Sequence, residues 1–169
     1  AGLSLPQQVM MTLFSLYELM DAKKNYQKAC IGIVKKRVEA TLEGLGIELA
    51  PNELYDYYYG LIDLEFWARK YVGEDVVTWM KENVHPLDFV FRLAEDHGIV
   101  LLNGSGFEAP DWSVRVSFAN LNDHVYDDIG RAVRAVARGY RQAYEASKRK
   151  AAAGKAPKAK PAAKPRAKK

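Results

Sequence analysis

The segment from Gly98 to Asp123, GIVLLNGSGFEAPDWSVRVSFANLND, constrains this chain most, because one arginine interrupts an otherwise apolar strand pattern. Ser113 to Phe118 alternates as a strand should, with Arg115 inside it. A guanidinium stays charged at any ordinary pH, so a fold that encloses one must bring it an anion. Arg115 is therefore the side chain best suited to meet a ligand, and its planar fork matches a carboxylate through two parallel hydrogen bonds. Read from the residues alone, an internal ion pair to an acid such as Asp111 is the better account.

The rest of the chain builds helices around this unit. From Leu5 to about Glu43, Val9, Leu13, Leu16 and Met20, then Ala29, Ile33 and Leu42, recur at helical spacing. Ser4 with Gln7 has capping-box spacing, Pro6 fits a first turn, and Gly44 and Gly46 suit a helix end. One helix of this length extends roughly 60 Å, too far for a small domain to bury; a break between Asp21 and Asn25 is the alternative. Tyr55 to Leu64 reads as a strand whose tyrosines pack one face on the core. Phe66 to Asn83 is helical with Gly73 as punctuation, Pro86 opens another helix ending at Gly98, and Ile99 to Leu102 is a strand. Asn103 to Asp111 is a loop, and the final helix begins with Asn122 as its cap and Asp123, Asp127 and Asp128 near its positive end. Arg131, Arg134, Arg138 and Arg141 on that helix form a solvated face. The order predicts an α+β fold: a long N-terminal helix, then a small mixed or antiparallel sheet covered by helices.

The net charge of +4 conceals a division. Lys150 to Lys169 carries eight basic residues and no acid, leaving 17 basic against 21 acidic residues before it. That Lys/Ala/Pro tail, residues 149–169, cannot bury enough apolar surface to order itself, and it has the charge to contact a polyanion weakly. The single cysteine, Cys30, excludes an internal disulfide framework and reads as a buried or half-buried thiol. His85, His97 and His124 have no metal-ligand spacing, and no metal site is expected. Asn103, Gly104, Ser105, Gly106 and Phe107 lack the spacing of a phosphate-binding loop. No apolar run reaches bilayer length and no secretory signal opens the chain, so a cytoplasmic location without membrane contact is expected.

Four stretches, SLPQQVMMTLFSLYELMD, YYYGLIDLEFWARK, DFVFRLAEDHGIVLLNGSGF and WSVRVSFANLND, occur in this order in one subgroup of the fold type I pyridoxal-phosphate aminotransferases. From Leu3 to about Tyr144 the chain resembles the C-terminal part of aspartate 4-decarboxylases, which also act as aspartate aminotransferases. The resemblance implies that residues 1–46 form an interdomain helix and residues 47–148 the substrate-binding small domain. It implies that Arg115 pairs with the α-carboxylate of L-aspartate. It places Asn103 to Phe107 near the active-site mouth, although glycines serving only as turn punctuation explain that loop equally well. The implied cofactor is pyridoxal 5'-phosphate, held mainly by an upstream domain, and the complete protein is a homo-oligomer. The family's cofactor lysine lies in a Ser-x-x-Lys-type motif with no match here. The chain therefore reads as a C-terminal fragment with no catalytic residue of its own, inactive alone, and the non-methionine Ala1 agrees. A plain class I/II aminotransferase, or a non-enzymatic helical binding module with a nucleic-acid-contacting tail, are the alternative readings.

Overall fold

The computed structural model describes residues 2–48, 50, 52 and 54–154. Among them, six α-helices surround a three-stranded, wholly antiparallel sheet, the α+β class that the pattern predicts.

The opening segment is two helices instead of one. Between α1 (Leu5–Met20) and α2 (Asn25–Leu45), Lys24 is left-handed at φ 55°, and Asp21 Oδ2 accepts from Tyr26 N at 2.9 Å. Asp21 thus satisfies one of the N–H groups that a helix start leaves free, so the chain restarts there. The start of α1 is where the capping residues put it, with Gln7 Oε1 accepting from Ser4 N at 2.9 Å. No residue of α1 is buried. Burial in α2 begins at Val38, so Cys30 is exposed, contrary to expectation, because it lies ahead of the residues that enter the core.

The second half of α2 packs along α6 (Val125–Gly154), where two glycines let the backbones touch. A Cβ on Gly130 would fall 2.3 Å from Thr41 O and 2.7 Å from Gly44 Cα, so this crossing admits no larger residue.

β1 (Tyr59–Asp63) is shorter than the strand expected from Tyr55 to Leu64. Asp56 Oδ1 accepts from Tyr58 N at 3.0 Å and Tyr57 has φ 59°, a turn that consumes the start of the run. β1 passes directly into α3 (Leu64–Tyr71), which Asp63 caps by accepting from Phe66 N at 2.8 Å. Gly73, at φ 106°, separates α3 from α4 (Glu74–Asn83), the break its position suggested. α5 (Asp88–His97) starts two residues after Pro86 and ends at Gly98, φ 65°. Gly98 N and Ile99 N donate to Ala94 O and Leu93 O, so Ile99 closes the helix and β2 is Leu102–Asn103, later than predicted. A 3₁₀ turn, Gly104–Phe107, then leads towards β3 (Ser113–Ser117). Asn122 lies ahead of the last helix and accepts from Val125 N through its backbone carbonyl, instead of being its cap.

The strand order β1-β3-β2 makes β3 central, with Leu61 and Leu102 opposite Arg115 on either side. Val114 and Val116 point into a core shared with Trp67, Phe89, Leu93 and Val133. Trp67 Nε1 donates to Leu45 O at 3.2 Å and ties α3 to the end of α2. Arg131, Arg138 and Arg141 are solvated as predicted. Arg134 is not, because its guanidinium lies 4.9 Å from the Tyr71 ring centroid and its Nε is buried. α6 continues to Gly154, and the remainder of the tail expected to be disordered lies outside the described residues. Among those residues no helix is long and apolar enough to cross a membrane.

Candidate functional site

Alternation along β3 decides what faces the open side of the sheet. Val114 and Val116 take the core, which leaves Arg115 and Ser117 on the other face, beside Tyr59 and Leu61 of β1 and Leu102 of β2. Arg115 is half-buried there. Its Cζ lies 3.9 Å from the Tyr59 ring centroid and 4.3 Å from that of Phe107. The two rings come from opposite flanks of the central strand: Tyr59 from β1, Phe107 from the 3₁₀ turn after β2.

Among the described residues no carboxylate lies within ion-pair distance of Arg115, and Asp111 does not serve it. Arg37 pairs with Asp123, Arg69 with Glu65 and Glu74, and Arg92 with Asp88, whereas Arg134, against the Tyr71 ring, resembles Arg115 in having no carboxylate among the described residues. Beside Arg115 opens a cavity of about 320 Å³, lined by Tyr59, Val100, Leu102, Ser117 and Leu121 among others. Ser117 Oγ is buried and has no hydrogen-bond partner among the described residues. A single cation beside a largely apolar cavity, with two aromatic ring centroids within 4.3 Å of its Cζ, is suited to one planar anion.

The predicted loop is split in its placement. Phe107 reaches Arg115; Gly104 is buried beneath the turn, and Asn103 Nδ2 donates to Ser105 Oγ at 2.6 Å, bracing it from within. Ser105 and Gly106 are exposed and do not line the cavity. Tyr59, Val100, Leu121 and Ser117 went unnoticed as site residues. Ser117 carried a signal, since it is two positions from Arg115 in a strand and so shares its face. Tyr59 is brought in by long-range strand pairing, opposite Ser117, while Val100 and Leu121 come from loops. No lysine among the described residues lines the cavity, so it offers no amine to bond a pyridoxal phosphate, and these residues do not by themselves build a site for that cofactor.

No family model matches the chain. Over 146 residues, 86% of its length, the chain is 40% identical to a bifunctional aspartate aminotransferase and L-aspartate beta-decarboxylase from a Pseudomonas species. This chain is a relative of that bifunctional enzyme. The resemblance read from the sequence is thereby borne out, and the chain spans 28% of the length of the bifunctional enzyme. Arg115 and its two rings fall in WSVRVSFANLND, NGSGF and YYYGLID, stretches that carried the resemblance in the first place.

Proposed function

We propose that this chain is the C-terminal, substrate-binding part of a pyridoxal-phosphate-dependent aspartate 4-decarboxylase that also transaminates aspartate. Residues 1–46 serve as its interdomain helices and residues 47–148 as its small domain. One observation carries this reading above the others: Arg115 is a clamped cation with no carboxylate of its own among the described residues, facing an open cavity. A buried or half-buried cation left in that state costs free energy unless an anion arrives to complete it. The α-carboxylate of L-aspartate is that anion, and Arg115 binds and orients it. The cofactor, which supplies the electron sink for both decarboxylation and transamination, is held by residues outside this chain, including the lysine. Asn103 to Phe107 sits at the mouth of the site. The complete protein works as a homo-oligomer in the cytoplasm.

The test compares the product of the full reading frame with the 169-residue chain. The longer product is expected to show cofactor absorbance in the near ultraviolet and to release carbon dioxide from L-aspartate, while the shorter one does neither. Transamination of L-aspartate without carbon dioxide would reduce the assignment to a plain aminotransferase. A full-length product that neither binds cofactor nor consumes L-aspartate would overturn it.

A further inference from the structure

Arginine side chains on an open sheet face ordinarily sample many rotamers, and a guanidinium that must receive a carboxylate edge-on loses that freedom on binding. Two aromatic rings flank Arg115 in this structure. The Tyr59 and Phe107 rings, which come from opposite flanks of β3, lie 3.9 and 4.3 Å from Cζ to centroid, both within cation–π range. We propose that Tyr59 and Phe107 are positioning residues for substrate binding, which fix the plane of the Arg115 guanidinium and leave only its in-plane N–H edge to the incoming carboxylate. This rests on the reading that Arg115 receives the substrate.

Three features support the assignment. First, both rings remain substantially exposed, Tyr59 at 43% and Phe107 at 47%, whereas Phe89, Tyr126 and Tyr140 are fully enclosed in the core. Their contact with Arg115 is therefore not a by-product of core packing. Second, the aromatic faces attract the cation without neutralising it. A carboxylate in their place would compete with substrate for the same N–H groups, in the way that Asp88 occupies Nε of Arg92. Third, each ring is anchored independently. Tyr59 is paired in the sheet opposite Ser117, and its carbonyl accepts from Tyr55 Oη at 3.0 Å. Phe107 is held by a 3₁₀ turn braced by the Asn103–Ser105 bond and by Ala109 N donating to Gly104 O at 3.2 Å. Preorganising a binding group in this way lowers the entropy lost on binding and should appear in substrate affinity, not in the chemical step.

The experiment uses the full-length enzyme with L-aspartate as substrate and succinate as a dicarboxylate competitor. Tyr59→Leu and Phe107→Leu are each expected to raise KM for L-aspartate and Ki for succinate roughly five- to tenfold, with kcat within about twofold and cofactor affinity unchanged. Tyr59→Phe and Phe107→Tyr, which keep the ring, are expected to return both constants to within about twofold of the unsubstituted enzyme. Should a leucine variant fail to fold, Phe107→Met provides the same loss of ring with a closer match in volume. Arg115→Lys is the reference. If it raises KM while the ring-free variants do not, the clamp is overturned and the carboxylate reading stands. If Arg115→Lys leaves KM unchanged, the carboxylate reading fails and the clamp fails with it. A fall in kcat at constant KM in the ring-free variants would also overturn the clamp.

Discussion

At Arg115, charge alone does not describe the surroundings, because the Tyr59 and Phe107 ring centroids lie 3.9 and 4.3 Å from its Cζ. Arg115→Lys keeps the charge and loses the guanidinium fork, and in the full-length enzyme it is expected to raise KM for L-aspartate by about tenfold or more, measured by steady-state kinetics. A second cluster bears on stability instead. Tyr140, 1% exposed, donates to Asp88 Oδ2 at 2.6 Å, and Arg92 Nε donates to the same oxygen at 2.7 Å. Burial, and then the hydrogen bond and charge of Asp88, push the Tyr140 phenol well above its ordinary value of 10.0. The folded state therefore holds this proton more tightly than the unfolded chain does. The stability it contributes is fully present below pH 10 and lost as pH climbs from there towards the folded value. Tyr140→Phe is expected to cost about 1 kcal/mol near neutrality and to flatten the fall in Tm above about pH 10, both read by thermal unfolding across pH. Arg115 stood out in the sequence as a candidate because a cation in an apolar strand is unusual in one dimension. The Tyr140–Asp88–Arg92 cluster was only half legible: i, i+4 spacing pairs Asp88 with Arg92, but Tyr140 comes from another helix.

Between elements, the closest tolerance is the crossing of α2 and α6. Gly44 and Gly130 approach so nearly that a Cβ on Gly44 would stand 2.7 Å from Asp127 O and 2.9 Å from Gly130 Cα. Gly130→Ala is expected to lower stability by roughly 2–3 kcal/mol, because the obstruction is backbone that cannot rotate away. Gly139→Ala, on the same helix, has nothing within 4 Å of its new methyl group and is expected to be neutral or to stabilise by roughly 0.5–1 kcal/mol. Urea unfolding of the two variants side by side separates crowding from helix propensity. Helical periodicity located α2 to α6 well, and glycines at 73 and 98 marked their ends, since a left-handed or extended-positive backbone is a local demand. It did not choose between one helix and the alternative break between Asp21 and Asn25, which the structure has and where Asp21 turns inward to cap α2, and it missed the limits of β1 and β2, where the strands are short and the residues beside them bond into turns and a helix end instead.

Across the whole molecule, α1 is the outlier. Leu5, Met11, Leu13, Phe14, Leu19 and Met20 are all exposed, so the helix presents apolar surface on every side, and Tyr17 meets Tyr26 of α2 edge-on at 5.7 Å between ring centroids. Expressed alone, the 169-residue chain is expected to self-associate through α1, and a variant beginning at Asp21 to sediment as a monomer. Sedimentation velocity distinguishes the two, and a clean monomer with α1 intact would refute the expectation. Charge is also unevenly divided, with eight basic residues in the last twenty against a mildly acidic remainder. The sequence by itself determined the α+β class, the helix-ending glycines, the place of Arg115 in a strand and the face it shares with Ser117, because each of these depends on near neighbours and backbone periodicity. Only the tertiary structure decided that Arg115 goes without a carboxylate among the described residues and stands between Tyr59 and Phe107 over a cavity. Those relations depend on strand order and register, which join residues dozens of positions apart, and register is set by the summed packing of the whole core and not by any residue within it.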